Sequence, residues 1–491
     1  MGKKEEKNCC VLTLPLCPEK WQIDIIEKRF RLGEMLYNSL LGNRLKAYRN
    51  LAETKHYRQI ENRIYDCLKS GDKKGLDAAN KERKSMLKEA GITKFGFSNQ
   101  MTEMYKCFNK QIGSHIAQAL SDTAWIAFEK MLFGKGKKVH FKKRGSLNSI
   151  SNKNANTNMK YLGNYFKWMD IEIKVRKPKT DYEFEILKLP IRRYRVVKKW
   201  LKNKFRYYLQ ITFEGKPPKK EKRTVGVGRV GLDIGTQSVA IASNTDVKLL
   251  ELADKVNKND RKLKLLQRKM DRSRRSTNPD NFNEDGTIKR GVKLNWVESN
   301  HYKRLRGKVR ELHRKNADIR KYQHTCLANY VLSLGTEIYV ETMNYSALQR
   351  RSTKTEKNDK GKFKRKKRFG KSLANKAPAM FLTILDLKLK MEGYEGLNKV
   401  NTWTYKASQY DHLSQQYNKK KLSKRKHDLA NGDVVQRDLY SAFLLMCANK
   451  TLNHQDDNLC NKFYDNFKFL HDQEVQRLVG VKEPKLSSFG Y

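Results

Sequence analysis

The feature that most constrains this chain is an acid set into an apolar strand. The segment Val230–Ala240 reads as one strand carrying Asp233 near its end, a turn at Gly235, and a second strand. An ionised carboxylate in such surroundings is costly to bury unless it is paired or bound to a metal. Gly231 and Gly235 permit a tight hairpin and the close approach of a phosphate. Taken alone, Asp233 is also readable as a carboxylate satisfied by the amides of its own turn.

A second acid stands the same way, because Glu337–Glu341 reads as a strand closed by Glu341. A third, Asp438, opens a helix in Gln436–Phe443, where an ordinary N-cap is the simplest reading of that residue by itself. Asp433 competes for this third place, although Asn431-Gly432-Asp433 is a plain turn signal. Successive acids lie roughly a hundred residues apart, so they meet only if a sheet gathers them. Gathered carboxylates raise one another's pKa. Two Mg2+ ions, with Mn2+ as a substitute, would relieve that repulsion, since Mg2+ takes oxygen ligands and completes its shell with waters and a substrate phosphate. One ion would orient the attacking water and the other would stabilise the leaving 3′ oxygen of a phosphodiester.

Charge narrows the partners. Lys and Arg number 105 against 52 Asp and Glu, a formal net charge of +53 over 491 residues. A chain this basic calls for a polyanion, and nucleic acid is the natural one. An anionic membrane fits less well, because the basic residues run along the whole length rather than on one amphipathic helix. No apolar run approaches the roughly 18 residues of a membrane span. The eight cysteines include no C-x-x-C pair, which suits reduced thiols in a cytoplasmic protein. The N-terminus lacks a small-residue cleavage site and is broken by Pro15 and Pro18, so residues 9–17 are expected to form a first strand rather than a signal peptide.

Residues from Trp21 to Phe133 lack proline and carry apolar residues at three- and four-residue spacing, the mark of a helical lobe. Strands are expected at Tyr165–Trp168, Ile171–Val175, Tyr182–Leu187 and Arg206–Phe213. Pro217 and Pro218 open a linker, and a new domain starts near Val225. Two long basic helices are expected at Asn259–Ser273 and Ser299–Leu334, the second with a buried stripe of Tyr302, Leu305, Val309 and Leu312. A basic loop, Arg350–Lys371, precedes an apolar helix at Pro378–Met391, and residues 401–432 look irregular.

The strings GLDIG (231–235), IYVE (338–341) and QRDLYSAF (436–443) resemble the three motifs of a RuvC-type, RNase H-like nuclease domain. Their order, with a helical insertion between the first two, is similar to that of TnpB proteins and the compact type V CRISPR effectors. The resemblance implies a multidomain α+β protein: an N-terminal helical recognition lobe inserted in a β-barrel wedge domain, then an RNase H-like α/β nuclease domain with helical insertions. The implied boundaries are 1–18 for the first wedge strand, 19–135 for the recognition lobe and 136–224 for the rest of the wedge and the linker. Residues 225–400 would be the nuclease domain with its basic lid, 401–432 a target-loading element, 433–450 the third motif and 451–491 a C-terminal tail. Asp233, Glu341 and Asp438 would be the catalytic acids and the metal ligands. Guide RNA and target double-stranded DNA would be the partners, with a short adjacent duplex motif read by the protein; monomer and homodimer stay open. Arg437 would neutralise phosphate charge or hold Asp438.

Candidate nucleic-acid contacts are Lys142, Lys143 and Arg144; Arg192, Arg193, Tyr194 and Arg195; Arg272, Arg274 and Arg275; and Arg365, Lys366, Lys367, Arg368 and Lys371. Aromatics among basic residues suit backbone contact plus base stacking, although aromatics in strands are more often core. Many relatives carry a four-cysteine zinc knuckle before the third motif. Here Tyr405–Asp433 holds only His412 and His427, so no zinc is expected and packing would hold this element. His412 reads as a surface histidine rather than a general base. Two other functions fit less well: a guided DNA binder that has lost cutting, disfavoured by an acid at all three positions, and an RNase H-like transposase, disfavoured by the helical lobe and insertion.

Overall fold

The computed structural model describes residues 8–108, 111–134, 136, 138–155, 158–202, 204–218, 224–353, 355–357, 361, 369–419, 424–481 and 486–491. It divides into two compact units, residues 1–219 and 220–491.

In the first unit, β1 (Cys9–Cys17) turns Cys10, Leu12, Leu14 and Leu16 inward at a period of two. Among the described residues five helices follow before the next strand: α1 (Lys20–Glu53), α2 (Lys55–Ser70), α3 (Lys73–Glu89), α4 (Lys94–Lys106) and α5 (Ser114–Leu132). Then come β2 (Ser149–Ser151), β3 (Met159–Tyr161), β4 (Tyr165–Trp168), β5 (Ile171–Val175), α6 (Asp181–Leu187), β6 (Ile191–Leu201) and β7 (Lys204–Glu214). A capping box between Glu19 and Gln22 starts α1. Its buried Glu34 accepts the amides of Gly145, Ser146 and Leu147 at 3.0–3.2 Å, tying the helical insertion to the chain that re-enters the sheet.

Three expectations are corrected here. The seven strands run β2-β6-β7-β1-β5-β4-β3, and no pairing between β2 and β3 closes them among the described residues, so the expected barrel is an open sheet. Tyr182–Leu187 is helical: Thr180 accepts the Glu183 amide at 3.3 Å and Asp181 and Glu183 occupy the first turn, a helix start that outweighs the alternation. The strand β6 was not expected. Its inward face includes Lys198, whose ammonium lies 2.8 Å from Glu27 and over the Phe30 ring, so a lysine occupies a core position and masks the apolar pattern.

In the second unit, β8 (Arg229–Ile234), β9 (Ser238–Ser243) and β10 (Val247–Glu251) form an antiparallel meander. The helices α7 (Asp260–Thr277) and α8 (Asn300–Leu334) return the chain to β11 (Glu337–Glu341), parallel to β8. The chain continues through α9 (Tyr345–Leu348), α10 (Gly370–Lys376) and α11 (Pro378–Glu392) to β12 (Asn398–Val400), parallel to β11. The sheet order is β10-β9-β8-β11-β12. After α12 (Thr402–Tyr405), two small pairs follow, β13 (Tyr410–Asp411) with β14 (Gln416–Tyr417) and β15 (Lys426–Asp428) with β16 (Val434–Gln436). They lead to α13 (Arg437–Met446) and α14 (Asp457–Gly480). Alternation divides the sheet cleanly. Val230, Leu232, Ile338 and Val340 face α8 and α11, whereas Ala240, Ala242, Leu249 and Tyr339 face α13 and α14. The stripe on α8 is buried at Leu305 and Leu312, with Val309 partly buried, against Leu266 of α7.

Candidate active site

Asp233 is the penultimate residue of β8, opposite Ala240 of β9. Glu341 is the last residue of β11. The parallel register that sets Val340 beside Leu232, carried one residue further, sets Glu341 beside Asp233. Neighbouring strands lie about 4.8 Å apart, and residues in register share a face. That face is the one covered by α13.

Gly231 explains how the third acid arrives. A Cβ at this position would lie 1.9 Å from the Ala442 carbonyl oxygen and 2.4 Å from the Met446 nitrogen, so backbone rests on backbone and only glycine fits. Arg229, at the start of β8, donates to the carbonyls of Met446, at 2.7 Å, and Ala448 at the end of α13. The helix therefore runs antiparallel to β8. From Ala442 back to Asp438 is about 6 Å of helix rise; from Gly231 on to Asp233 is about 6.7 Å of strand. The two steps match, so Asp438 comes level with Asp233 and Glu341.

Asp438 is not the N-cap. Gln436 holds that place, its side chain accepting the Leu439 amide at 2.7 Å, and this leaves the Asp438 carboxylate free to face Arg437, whose Nη2 and Nε lie 3.0 and 3.1 Å from Oδ1. Arg425 stands 4.0 Å from Oδ2. Asp433 is engaged elsewhere, accepting from Tyr464 at 2.7 Å and from Asn431.

Burial, then the charges of Asp438 and Glu341, push the Asp233 carboxyl well above the carboxylate range, with Arg437 opposing. Burial raises Glu341 to about 7. Tyr345, whose hydroxyl donates to the Ile234 carbonyl at 3.3 Å, is raised by burial and by both acids. A groove of ≈ 560 Å³ opens from Glu341 past Tyr345 to α11 and Lys399, at the carboxyl ends of parallel strands where α/β sheets commonly bind ligands. Oxygen donors that repel one another suit a hard divalent cation. Among the described residues, however, no group of three His, Cys, Asp or Glu side chains is arranged to hold a metal ion. The acids are neighbours by topology and electrostatics without forming a ready cage.

Several basic candidates serve the fold. Tyr194 is a correction: its ring is buried against Phe166 at 6.0 Å and is closed to a base. Arg274 lies over the Trp296 ring at 3.6 Å. Arg275 pairs with Asp271 at 2.9 Å and donates to Gly286; together these two arginines fasten the loop between α7 and α8. Lys371 pairs with Asp260 at 2.5 Å. Lys143, Arg144, Arg192, Arg193 and Arg272 are exposed, Lys142 and Arg195 half-buried. Arg365, Lys366, Lys367 and Arg368 lie outside the described residues. His412 is also corrected: it is buried, with Nδ1 2.6 Å from the Tyr440 hydroxyl, inside an aromatic cluster where Phe443 stacks on Phe467. Gly231 and Gln436 stand within the motifs, but the seat for α13 and the N-cap they provide are not legible there; Tyr345 and Arg229 carry no sequence signal.

No protein-family model and no curated protein matches the chain. Among solved structures, it is similar to a Cas12f1–sgRNA–target DNA complex, with 12% identity, TM-score 0.43, and coverage of 91% of this chain and 99% of the other. A CRISPR-Cas12f ternary complex gives 13%, 0.27, and 87% and 82%. A Cas12i–crRNA–dsDNA complex gives 10%, 0.25, and 93% and 65%. Among the described residues no helix is long and apolar enough to cross a membrane.

Proposed function

We propose that this chain is an RNA-guided DNA endonuclease whose second unit is an RNase H-like, RuvC-type nuclease domain. Asp233, Glu341 and Asp438 would hold two Mg2+ ions, which supply an activated water and a stabilised leaving oxygen. The observation that carries the reading is the seating of α13 on Gly231, which brings Asp438 toward Asp233 and Glu341 at the carboxyl ends of two central strands. The net charge of +53 supports a nucleic-acid partner. In this reading residues 19–135 form the recognition lobe, 136–224 complete the wedge, and 401–432 load the target. Asp233 and Glu341, both raised by burial, would give up their protons on holding a cation. Arg437 holds the Asp438 carboxylate by two hydrogen bonds to Oδ1.

Two observations favour a second reading, guided binding without cutting: no three-donor group is preformed among the described residues, and Asp438 is engaged by Arg437. A single experiment separates the two. The RNA that copurifies is sequenced, and the complex is given plasmid matching the guide, with flanking duplex randomised, and Mg2+. Cutting that disappears in Asp233→Ala while RNA is retained is the expected result. Binding without cutting by the wild type selects the second reading, and loss of RNA in Asp233→Ala overturns a catalytic role for that residue.

A further inference from the structure

The sequence left α14 as a tail, yet it holds the start of the helix that carries Asp438. Gln436 is fully buried, and its backbone N–H donates to His471 Nε2 of α14 at 2.8 Å. In a capping box this N–H is satisfied locally by a Glu or Gln side chain at the third helical position. Here that position is Leu439, which has no acceptor. His471 supplies from another helix the bond that the local sequence cannot. Its Nδ1 lies 2.8 Å from Asp472 Oδ1, and Asp472 Oδ2 is 2.6 Å from Lys468.

The direction of these bonds settles the tautomer. Because Nε2 accepts, the proton sits on Nδ1 and points at Asp472, the arrangement by which a carboxylate fixes an imidazole. His471 is 1% exposed, and its burial keeps it neutral. A continuous chain thus runs from Lys468 through Asp472, His471 and Gln436 to the Leu439 amide, and Asp438 lies in the turn between the last two.

We propose that His471 is a positioning residue for Asp438: its Nε2 acceptor fixes the N-cap of α13 and so the place of the third acid. The inference rests on the proposed nuclease reading and names a residue outside the three motifs that sets its geometry. It is tested on the full chain with its copurified RNA. His471→Ala removes the acceptor, whereas the Oε1 of His471→Gln reaches the place of Nε2. The first variant is expected to raise the half-saturating Mg2+ concentration, or lower kcat on guide-matched DNA, about 10- to 100-fold, with RNA and DNA binding unchanged; the second restores most of the loss. Wild-type Mg2+ dependence in His471→Ala, or equal impairment in His471→Gln, overturns the proposal. If His471→Ala does not fold, His471→Asn, too short to reach, takes its place against His471→Gln. If the wild type cuts nothing, the nuclease reading fails by itself. The brace is then judged by hydrogen exchange at the Leu439 amide, faster in the alanine variant and slow in the glutamine one; equal exchange in both overturns it.

Discussion

Adding one methyl group at Gly231 tests the geometry of the whole site. The Cβ of Gly231→Ala would sit 1.9 Å from the Ala442 oxygen, where ordinary contact begins at 3.4 Å. The helix must therefore retreat by about 1.5 Å from β8. Both obstructing atoms belong to the backbone, so no rotamer change relieves the clash. Overpacking of this kind costs about 1–3 kcal/mol. The functional loss is larger in proportion, because Asp438 retreats with the helix while Asp233 and Glu341 stay on their strands. A misplacement of about 1 Å can lower a rate about 100-fold. Gly231→Ala is thus expected to retain RNA, melt at a lower temperature, and cut guide-matched plasmid at least about 100-fold more slowly under single-turnover conditions with Mg2+. Gly235→Ala is the control: its Cβ would meet the rotatable Ser238 hydroxyl at 3.2 Å, and a small effect is expected. Gly231→Ala that cuts within threefold of wild type without a change in melting would refute the seating of α13 as the device that delivers Asp438.

Glu341 makes the metal-free chain sensitive to pH. Its carboxyl is raised from 4.5 to about 7 by burial, so between these values the unfolded chain has lost a proton that the fold keeps. Stability therefore falls as pH rises through this window, by at most about 3 kcal/mol. Glu341→Gln should flatten that dependence in melts taken with a chelator, and an unchanged slope would show that burial does not act on this residue. Tyr194→Leu should leave guide-RNA affinity intact, because the ring lies in the core against Phe166. A stacked base would be worth about 1–3 kcal/mol, so a loss of fivefold or more in a variant that still folds contradicts the burial.

Local pattern recovered much of the second unit. Asp233 and Glu341 were legible because each interrupts a short apolar strand near its end, and α8 because its apolar stripe repeats every three to four residues. The errors arose where a tertiary partner rewrote a residue's meaning. Lys198 interrupts the apolar alternation of β6, and only Glu27 of α1 makes it a core residue. His412 looked polar until the Tyr440 hydroxyl covered it. Arg274 looked free for phosphate until Trp296 lay beneath it.

What the sequence settled alone was the inventory: which strands end in acids, which helices are basic, and how large a charge the chain carries. Periodicity is a property of neighbours along the chain, and these features need nothing more. Which strand lies beside which, and at what height a helix rests on them, depends on long-range burial. The pairing of β8 with β11, the contact of Gly231 with α13 and the bond from Gln436 to His471 were therefore decided only in three dimensions. Each joins residues whose separation in sequence leaves no periodic trace.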